Sequence, residues 1–321
     1  MTTFNERDYF TGTAEYDRHF WNVMKGGKDV TDTLSRGSAR ESGGFYLPSG
    51  AEDKYSKAIR KESIFRNLAT VIHAYGGSTR IYAKDCSDIA AWVPEGGPIP
   101  IYDAVNDFTR YPVDAHKLAV FVKLDDDFIH DATFDIEDYL TKRLGKNFAK
   151  AEDAAFLNGN GNGMPWGLLD HHNPGPELAV LTSEIGYDDI VRLFFALDPD
   201  YRKNAVWMMN DETALALRLL KDENGNPLWN HANDTILGKP VVIANDMPSV
   251  GSGNTPILFG DFSYYWIICR SPVSVRTLKE KFVTLDQVGY LAMEFMDAKL
   301  VRREAIQALT CPSTDPEDLN G

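Results

Sequence analysis

The sequence predicts an α+β protein, in which helices and strands share the chain without a regular strand–helix–strand alternation. Two observations support this prediction. Apolar residues recur with a helical period, most clearly over 135–158, and short alternating or continuous apolar runs of strand length are spread over both halves of the chain. At about 150 residues per domain, the length of 321 residues predicts about two domains.

The N-terminal segment is rich in aromatic side chains. Tyr16, Phe20 and Val23 recur at i, i+4 and i+7, which predicts one helical face. The segment is too short to bury this stripe by itself, so we expect it to dock on the rest of the chain or on a neighbouring chain. Residues 26–44 hold five of the 25 glycines together with several Ser and Thr, which favours a linker or an extended arm.

The next part of the chain predicts a polar helix and a long hairpin. The helix covers about 51–63, and short strands follow at 79–83 and 90–93. A bend rich in Pro and Gly then leads to 113–124, where apolar residues alternate as in a half-buried strand. The pattern alone leaves open whether this hairpin projects from the body or lies flat on it.

The strongest prediction is a long helix over 135–158. Asp135 is a suitable N-cap and Asp138 occupies the third helical position of a capping box. Ile136, Leu140 and Leu144 follow at intervals of four, and the helix would be about 35 Å long at 1.5 Å per residue. The glycine-rich segment 159–163 ends it.

A second unit begins near residue 177. Within this unit, Asn210 is a suitable N-cap for a helix that begins at residue 211. The predicted helices are 187–197 and 211–220, and the predicted strands are 205–209, 241–244, 257–259, 264–269, 273–277 and 288–300. Asp222 to Pro227 predicts a tight turn, and residues 312–321 form a polar acidic tail that we expect to be disordered.

Composition excludes several classes of protein. With 33 basic and 47 acidic residues the formal net charge is −14, which argues against a protein that holds nucleic acid through its phosphates. No apolar run approaches the roughly 20 residues of a membrane helix, and the N-terminus does not resemble a signal peptide. The three cysteines are far apart, which predicts neither a disulfide framework nor a zinc site and favours synthesis in a reducing compartment.

Four segments invite a chemical interpretation, and each has a simpler one. Residues 159–163 follow a helix rather than a strand, so a helix-ending turn is favoured over a phosphate loop. Asp170, His171 and His172 lack the spacing of a metal site. The acidic segments 125–127 and 222–226 lack the closing Glu of a calcium loop, so turns are favoured there. We therefore predict no catalytic, cofactor-binding or metal-binding residues.

Several short motifs, taken together, resemble the major capsid proteins of tailed bacteriophages, the Hong Kong 97-like fold. They occur in the family's order over about 43–310. The motifs are GGFYLP at 43–48, WVPEG at 92–96, FAKAEDAAFLNG at 148–159 with Pro165 and Gly167, WMMN at 207–210, LLKD at 219–222 with PLW at 227–229, LGKPV at 237–241 and LFGDF at 258–262. Each motif is weak alone, but their shared order makes the resemblance specific.

The resemblance implies a division of the chain. The expected parts are an N-terminal arm (1–42), a peripheral domain in three pieces (43–96, 122–176 with the long spine helix, and 263–312), an extended loop or E-loop (97–121), an axial domain (177–262) and a flexible tail (313–321). It also implies that the hairpin projects over a neighbouring subunit. The residues that we expect to contact neighbouring subunits are Tyr16, Phe20, Trp21, Pro98, Ile99, Tyr102 and Phe108.

The implied function is that of a coat protein, not an enzyme. The resemblance implies self-assembly into pentamers and hexamers of an icosahedral shell around double-stranded DNA, after synthesis in the bacterial cytoplasm. The implied partners are other copies of the chain, a portal protein, a separate scaffolding protein and possible cementing proteins, with no cofactor and no membrane. The separate scaffold follows because Met1 is retained and only 42 residues precede Gly43, so no long cleavable extension is expected.

One departure concerns covalent cross-linking, which some members achieve between a loop Lys and an Asn with the help of a Glu. No lysine lies between Lys84 and Lys117, and Asp286 and Met293 stand where the Asn and the Glu are needed. We therefore expect no autocatalytic cross-links. For a shell around DNA, the acidic net charge also predicts an inner surface that does not hold phosphates.

Two alternatives remain from the sequence. An encapsulin-like nanocompartment shell would share the fold, but the long N-terminal arm favours the virus. A soluble hydrolase using Asp170, His171 and His172 is the alternative from another class.

Overall fold

The computed structural model describes residues 10–28, 33–39, 43–75, 80–84, 108–131, 133–170, 175–221, 225–230 and 232–313. The α-helices are α1 (Ala14–Met24), α2 (Ser49–Glu62), α3 (Phe65–Leu68), α4 (Asp126–His130), α5 (Ile136–Asn158), α6 (Tyr187–Ala196), α7 (Pro199–Arg202) and α8 (Asp211–Leu219). Short 3₁₀ turns occur at Thr33–Gly37, Phe262–Tyr264, Glu280–Leu285 and Arg303–Ala305.

The strands form two large sheets and one small one. They are β1 (Ser38–Ala39), β2 (Gly44–Tyr46), β3 (Thr70–His73), β4 (Arg80–Lys84), β5 (Phe108–Pro112), β6 (His116–Asp125), β7 (Glu177–Leu181), β8 (Val206–Met209), β9 (Trp229–Asn230), β10 (Thr235–Ile236), β11 (Lys239–Ile243), β12 (Ile257–Gly260), β13 (Tyr265–Leu278), β14 (Gln287–Leu300) and β15 (Ile306–Thr310). The six-stranded sheet has the order β1-β2-β13-β14-β6, with β3 also on β13, and the seven-stranded sheet has the order β7-β15-β12-β8-β11-β10-β9. This mixed architecture agrees with the predicted α+β class.

The first unit is the six-stranded sheet with α1, α2 and α5 packed on one of its faces. Tyr55 and Ile59 of α2, Leu144 and Phe148 of α5 and Tyr290 of β14 belong to one apolar core. The predicted N-cap of the long helix is confirmed, because the Asp135 side chain accepts hydrogen bonds from the amides of Glu137 and Asp138. The helix begins and ends where the capping residue and the glycines predict.

Strand β13 corrects one prediction. The sequence suggested separate strands at 264–269 and 273–277, but one strand runs from Tyr265 to Leu278 and pairs with β14 along its length. The register shifts between Cys269 and Ser274, around Pro272. Proline has no backbone N–H to donate to a neighbouring strand, and the irregularity accommodates it without ending the sheet.

The second unit is the seven-stranded sheet with α6 and α8. Ile190 and Leu193 of α6 and Leu217 of α8 share a core with Trp207 and Phe259 of the sheet. Asn210 caps α8 as predicted, since its side chain accepts a hydrogen bond from the Thr213 amide at 2.8 Å. The strand pairing is mixed, because β8–β11, β7–β15 and β3–β13 are parallel pairs while the other strand pairs are antiparallel.

Two strands lie in different places from the predicted layout. Residues 263–312 were expected to return to the first unit, but β15 pairs with β7 and β12 in the second sheet. Residues 97–121 were expected to be loop, but β6, from His116 onward, pairs with β14 in the first sheet. Apolar alternation predicted a strand at 113–124, whereas no strand was predicted at 306–310. In both cases the partner strand depends on contacts far away in the chain.

Part of the predicted linker is ordered. Residues 33–37 form a 3₁₀ turn that buries Leu34, and β1 pairs with β2 at the edge of the first sheet. The two large units also share a core, in which Phe65 and Phe156 of the first unit lie with Met208 and Leu258 of the second. Residues 314–321 of the tail lie outside the described residues.

The predicted hairpin has a paired stem. Strands β4 and β5 are antiparallel, from Arg80 opposite Pro112 to Lys84 opposite Phe108. The bend at 85–107 lies outside the described residues, so the predicted strand at 90–93 is untested. No helix in the described ranges has the length and apolarity needed to cross a membrane.

Candidate assembly surfaces

The aromatic stripe of the N-terminal segment lies on α1 and is buried within the chain itself. Thr13 accepts a hydrogen bond from the Tyr16 amide at 3.1 Å, and the Tyr16 hydroxyl donates to the Tyr46 carbonyl oxygen at 2.8 Å. The side chains of Tyr16, Phe20 and Trp21 are 1%, 0% and 9% exposed. The sequence left open whether this segment docks on the rest of its own chain or on a neighbouring chain, and in the structure it docks on its own chain. These side chains could contact a neighbour only after α1 left this core.

The other four contact candidates belong to the hairpin. Pro98, Ile99 and Tyr102 lie outside the described residues, and Phe108 begins β5.

The base of the hairpin is fixed to the body. Ile81 of β4 and Val113 pack against Ile268 of β13, so the stem rests on the first sheet. The Tyr111 hydroxyl donates a hydrogen bond to the Val301 carbonyl oxygen at 2.8 Å. These contacts determine where the stem leaves the body.

A buried ionic network fixes the helices of the first unit relative to its sheet. Arg66, which lies on α3, donates two hydrogen bonds to the Glu152 carboxylate of α5, from Nε at 2.6 Å and from Nη2 at 2.7 Å. Glu294 of β14 lies nearby, with its Oε2 at 3.9 Å from Arg66 Nη2 and accepting a hydrogen bond from the Tyr55 hydroxyl at 3.1 Å. Two helices, α3 and α5, and strand β14 therefore meet at one guanidinium group.

The two carboxylates of this network share the single cation unequally, because Glu152 accepts two hydrogen bonds from Arg66 and Glu294 accepts none from it. Burial, together with the negative charge of Glu152, raises the pKa of Glu294 well above its ordinary value, despite the opposing effects of Arg66 and Tyr55. Burial alone would lower the pKa of Arg66, but the ion pair with Glu152 raises it further above its already high value. Glu294 Oε1 has no hydrogen-bond partner among the described residues. We interpret Glu294 as the neutral member of the network.

A second buried carboxylate joins the same helices. Asp153 Oδ1 accepts a hydrogen bond from Ser63 Oγ at 2.7 Å, and Asp153 Oδ2 accepts one from the Ile64 amide at 2.7 Å. The Phe65 amide also donates to Asp153 Oδ1, at 3.2 Å. These hydrogen bonds lower the pKa of Asp153, but burial has the larger effect, so the pKa is raised. The corner between α2 and α3 is thus tied to the long helix.

The second unit has large apolar side chains that are exposed to solvent and lie outside its buried core. Leu215 and Leu219 of α8 are 61% and 73% exposed, and Phe195 at the end of α6 is 66% exposed. Leu178 and Leu181 lie on β7, the edge strand of the second sheet, and are also exposed. Exposed large apolar side chains are candidates for contacts with another protein when they lie together, as Leu215 and Leu219 do at positions i and i+4 of α8. The sequence reasoning missed these residues, although Leu215 and Leu219 fall off the face of α8 that Ala214 and Leu217 bury.

The remaining candidate segments behave as their simpler interpretations predict where they are described. Residues 159–163 follow the end of α5, with Gly161 and Gly163 at φ values of 74° and 75° that favour glycine. Asp125 ends β6 and Asp126 begins the short helix α4. His171 and His172 lie outside the described residues, and so do residues 222–224.

The described cysteines are not paired. Cys269 and Cys311 are buried and free, and burial raises the pKa of the Cys269 thiol to about 12. No group of three His, Cys, Asp or Glu side chains suited to a metal ion occurs among the described residues.

The structure is similar to solved capsids. The capsid of a native GTA particle aligns at 27% identity and a TM-score of 0.61, covering 91% of this chain and 99% of that one. The capsid of an empty GTA particle aligns at 28% identity and a TM-score of 0.60, covering 78% and 90%. A structure from Microbacterium phage Oxtober96 aligns at 19% identity and a TM-score of 0.56, covering 78% and 91%, which supports the fold.

The sequence leads to the same group of proteins. None of the curated protein sequences compared with the chain matches it. The model of the phage capsid family matches residues 43–311, which span most of the chain and both of its units. The matched range begins at the first glycine of the GGFYLP motif and ends just after β15. The chain therefore belongs to the phage capsid family.

Proposed function

We propose that the chain is the major coat protein of a tailed phage, a prophage or a related phage-like particle. Its copies would assemble as pentamers and hexamers into an icosahedral shell around double-stranded DNA. The observation that carries the proposal is the family match over 43–311, and the alignment with the native GTA particle capsid over 91% of the chain supports it. Both GTA structures are capsids of whole particles, which supports assembly of many copies into a shell.

The proposed layout is the Hong Kong 97-like one. The first unit corresponds to the peripheral domain with α5 as its spine helix, and the second unit corresponds to the axial domain. The β4–β5 stem would carry an extended loop over a neighbouring subunit, with its base held by Tyr111 and Val113. A loop that crosses to another chain adds interface area without enlarging the core of either subunit.

The second unit would make the contacts around the fivefold and sixfold centres. Its exposed leucines on α8 would pass from water into these contacts as the ring closes. The proposed partners beyond other copies of the chain are a portal protein, a separate scaffolding protein, a possible cementing protein and the DNA inside. The proposed location is the virion shell, after synthesis in the host cytoplasm.

We also propose that the chain is not an enzyme and forms no autocatalytic cross-links. Asp286 is exposed and lacks the amide that an acceptor Asn would supply, and Met293 is buried and lacks the carboxylate that an assisting Glu would supply. The shell would be held by non-covalent contacts.

Electron microscopy and sedimentation of the purified full-length chain, alone and with its genomic neighbours, test the proposal. We expect rings of five or six subunits or megadalton shells. A stable small oligomer under all assembly conditions would contradict it, and small uniform shells filled with a cargo protein would favour a nanocompartment.

A further inference from the structure

We propose that the outer face of the α2–α5 helix layer is a surface that contacts the phosphate backbone of double-stranded DNA. The inference rests on the proposed function, and it names the side of the subunit that faces the packaged DNA. It differs from the expectation that the acidic net charge sets, which is an inner surface unable to hold phosphates.

The charge of the chain is unevenly distributed. Residues 177–262 contain 13 acidic and 6 basic residues, so the second unit carries about half of the net charge of −14. The segments 54–61 and 142–150, in contrast, contain eight Lys and Arg and no acidic residue. The basic residues of this helix face are Lys54, Lys57, Arg60, Lys61, Lys142, Arg143, Lys146 and Lys150, and all eight are exposed.

The fold brings the two basic segments together. A Cβ atom at Gly145 of α5 would lie 2.7 Å from Ala58 Cβ and 2.9 Å from the Ile59 backbone nitrogen of α2, so the helices touch at the middle of both segments. Both helices bury their opposite faces against the first sheet. Their exposed faces therefore form one continuous surface, which we call the basic helix face.

Most cations of the basic helix face are free to bind an anion. Lys54 pairs with Glu137 and Lys142 pairs with Asp138, both at the end of the face where α5 begins. The other six form no ion pair with a described residue. Exposed acidic residues lie at both ends of the face: Asp53 and Asp135 at the end where α5 begins, and Glu62 at the other end.

The spacing of the cations suits a linear polyanion. Lys142, Lys146 and Lys150 recur every four residues, which places them about 6 Å apart along α5 at 1.5 Å per residue. Lys57 and Lys61 repeat this spacing on α2. Duplex DNA carries one negative charge per about 1.7 Å of its axis, so each cation in such a row can lie near a phosphate, and Lys and Arg that neutralise phosphates release bound counterions. Lys146 and Lys150 of this row, with Lys57 and Lys61, form no ion pair with a described residue, and cations of this kind bind a phosphate backbone regardless of its base sequence, as a shell around a whole genome requires.

The opposite face of the same sheet provides a matched control. Lys123 and Arg276 are exposed there, because their neighbours Val122 and Val275 point into the core on the helix side.

The first experiment measures DNA binding by the full-length chain. The probe is a labelled duplex of about 30 base pairs, titrated by fluorescence anisotropy over 50–200 mM salt. A plot of log K against log salt has a negative slope of about 0.9 per phosphate contact. We expect the double variant Lys57→Gln/Lys146→Gln, which loses two contacts, to make this slope shallower by about 1.8. Between 50 and 200 mM salt, the unchanged chain would then lose about 12-fold more affinity than the variant loses.

The double variant Lys123→Gln/Arg276→Gln removes the same charge and should leave the slope unchanged. Equal slopes for both variants, or no binding by the unchanged chain at low salt, would overturn the proposal. This measurement needs no shell, so it stands whether or not the chain assembles.

The second experiment compares DNA-filled and empty shells. Lysines are acetylated with a small permeant reagent and quantified by mass spectrometry. We expect Lys57, Lys61, Lys146 and Lys150 to be modified several-fold less in filled shells, while Lys123 is modified equally in both. Equal modification of the basic helix face in both samples would contradict the inference and leave the capsid function intact. Protection in empty shells as well would assign this face to a contact between subunits instead.

Discussion

The Arg66 guanidinium and the Glu152 carboxylate form a bidentate ion pair, with N–O distances of 2.6 and 2.7 Å, where both side chains are almost completely buried. The pair joins the short helix α3 to the C-terminal half of α5. Removing one charge from such a pair leaves the other uncompensated in the interior, whereas removing both does not. The pair therefore holds the long helix in position, and a substitution that removes only one of its charges should lower the free energy of unfolding.

We expect Arg66→Met to lower the free energy of unfolding by about 3–5 kcal/mol, because Glu152 would remain buried without its cation. The measurement is urea unfolding of the unassembled subunit, followed by circular dichroism. The double variant Arg66→Met/Glu152→Met should recover most of the loss. Lys203→Met, which opens the exposed pair with Asp200, is the control and should change nothing measurable. A loss below 1 kcal/mol for Arg66→Met would contradict this account.

Glu294 should make the subunit less stable as pH rises. Its pKa is raised well above 4.5 in the folded chain, so the folded state keeps a proton that the unfolded state releases. Below about pH 4.5 both states are protonated and the group has no effect. Above it, the contribution falls by about 1.4 kcal/mol per pH unit until the folded pKa is reached. Glu294→Gln is neutral at every pH and should gain stability relative to the unchanged chain over this window.

The checking measurement is the urea midpoint of both proteins from pH 4 to pH 8. A difference between them that stays constant with pH would show that Glu294 is ionised in the folded chain.

The contact between Gly145 and α2 should not tolerate a side chain. Gly145→Ala places a Cβ 2.7 Å from Ala58 Cβ, and overpacking of this kind costs about 1–3 kcal/mol. The same substitution at Gly50, which lies in α2 with no atom within 4 Å of the new Cβ, is the matched control. Gly50→Ala should leave stability unchanged or raise it by up to about 1 kcal/mol, since alanine favours helix. Similar results for both would mean that α2 and α5 can move apart freely.

The exposed leucines of α8 should matter for assembly and not for folding. Leu219 is 73% exposed, so Leu219→Lys should leave the unfolding midpoint of the subunit unchanged. If this surface is buried between copies, the added charge should reduce the yield of shells at least tenfold in sedimentation. Leu219→Met keeps the surface apolar and should assemble normally. Normal assembly of the Lys variant would remove α8 from the proposed subunit contacts.

Purified particles should dissociate into single chains when boiled in detergent. The reason is the lack of lysine between Lys84 and Lys117 and of the Asn and Glu at 286 and 293. The measurement is gel electrophoresis of shells that have been matured by DNA packaging or by acid treatment. A ladder of covalent oligomers would contradict the prediction.

Local sequence signals were sufficient wherever neighbouring residues decide a structure. Asp135 and the intervals of four from Ile136 predicted α5, and Asn210 predicted the start of α8, because a cap and an amphipathic period act within a few residues. Apolar alternation also predicted β6, and apolar runs of strand length predicted β12 and β14. The order of short motifs was sufficient to place the chain in its family, since that order reflects the whole fold.

Tertiary structure alone decided which elements meet. The stripe of Tyr16 and Phe20 would bury equally well on its own chain or on another, so only the fold shows it on its own core. The last strand, β15, was not predicted from the sequence, and its pairing with β12 and β7 places it in the second unit. Segments 54–61 and 142–150 are 80 residues apart, and their charges add because Gly145 allows two helices to touch. The sequence by itself determined the elements and the family, because local forces and motif order suffice for both. The fold determined the partners of each element, because burial depends on contacts between residues distant in the chain.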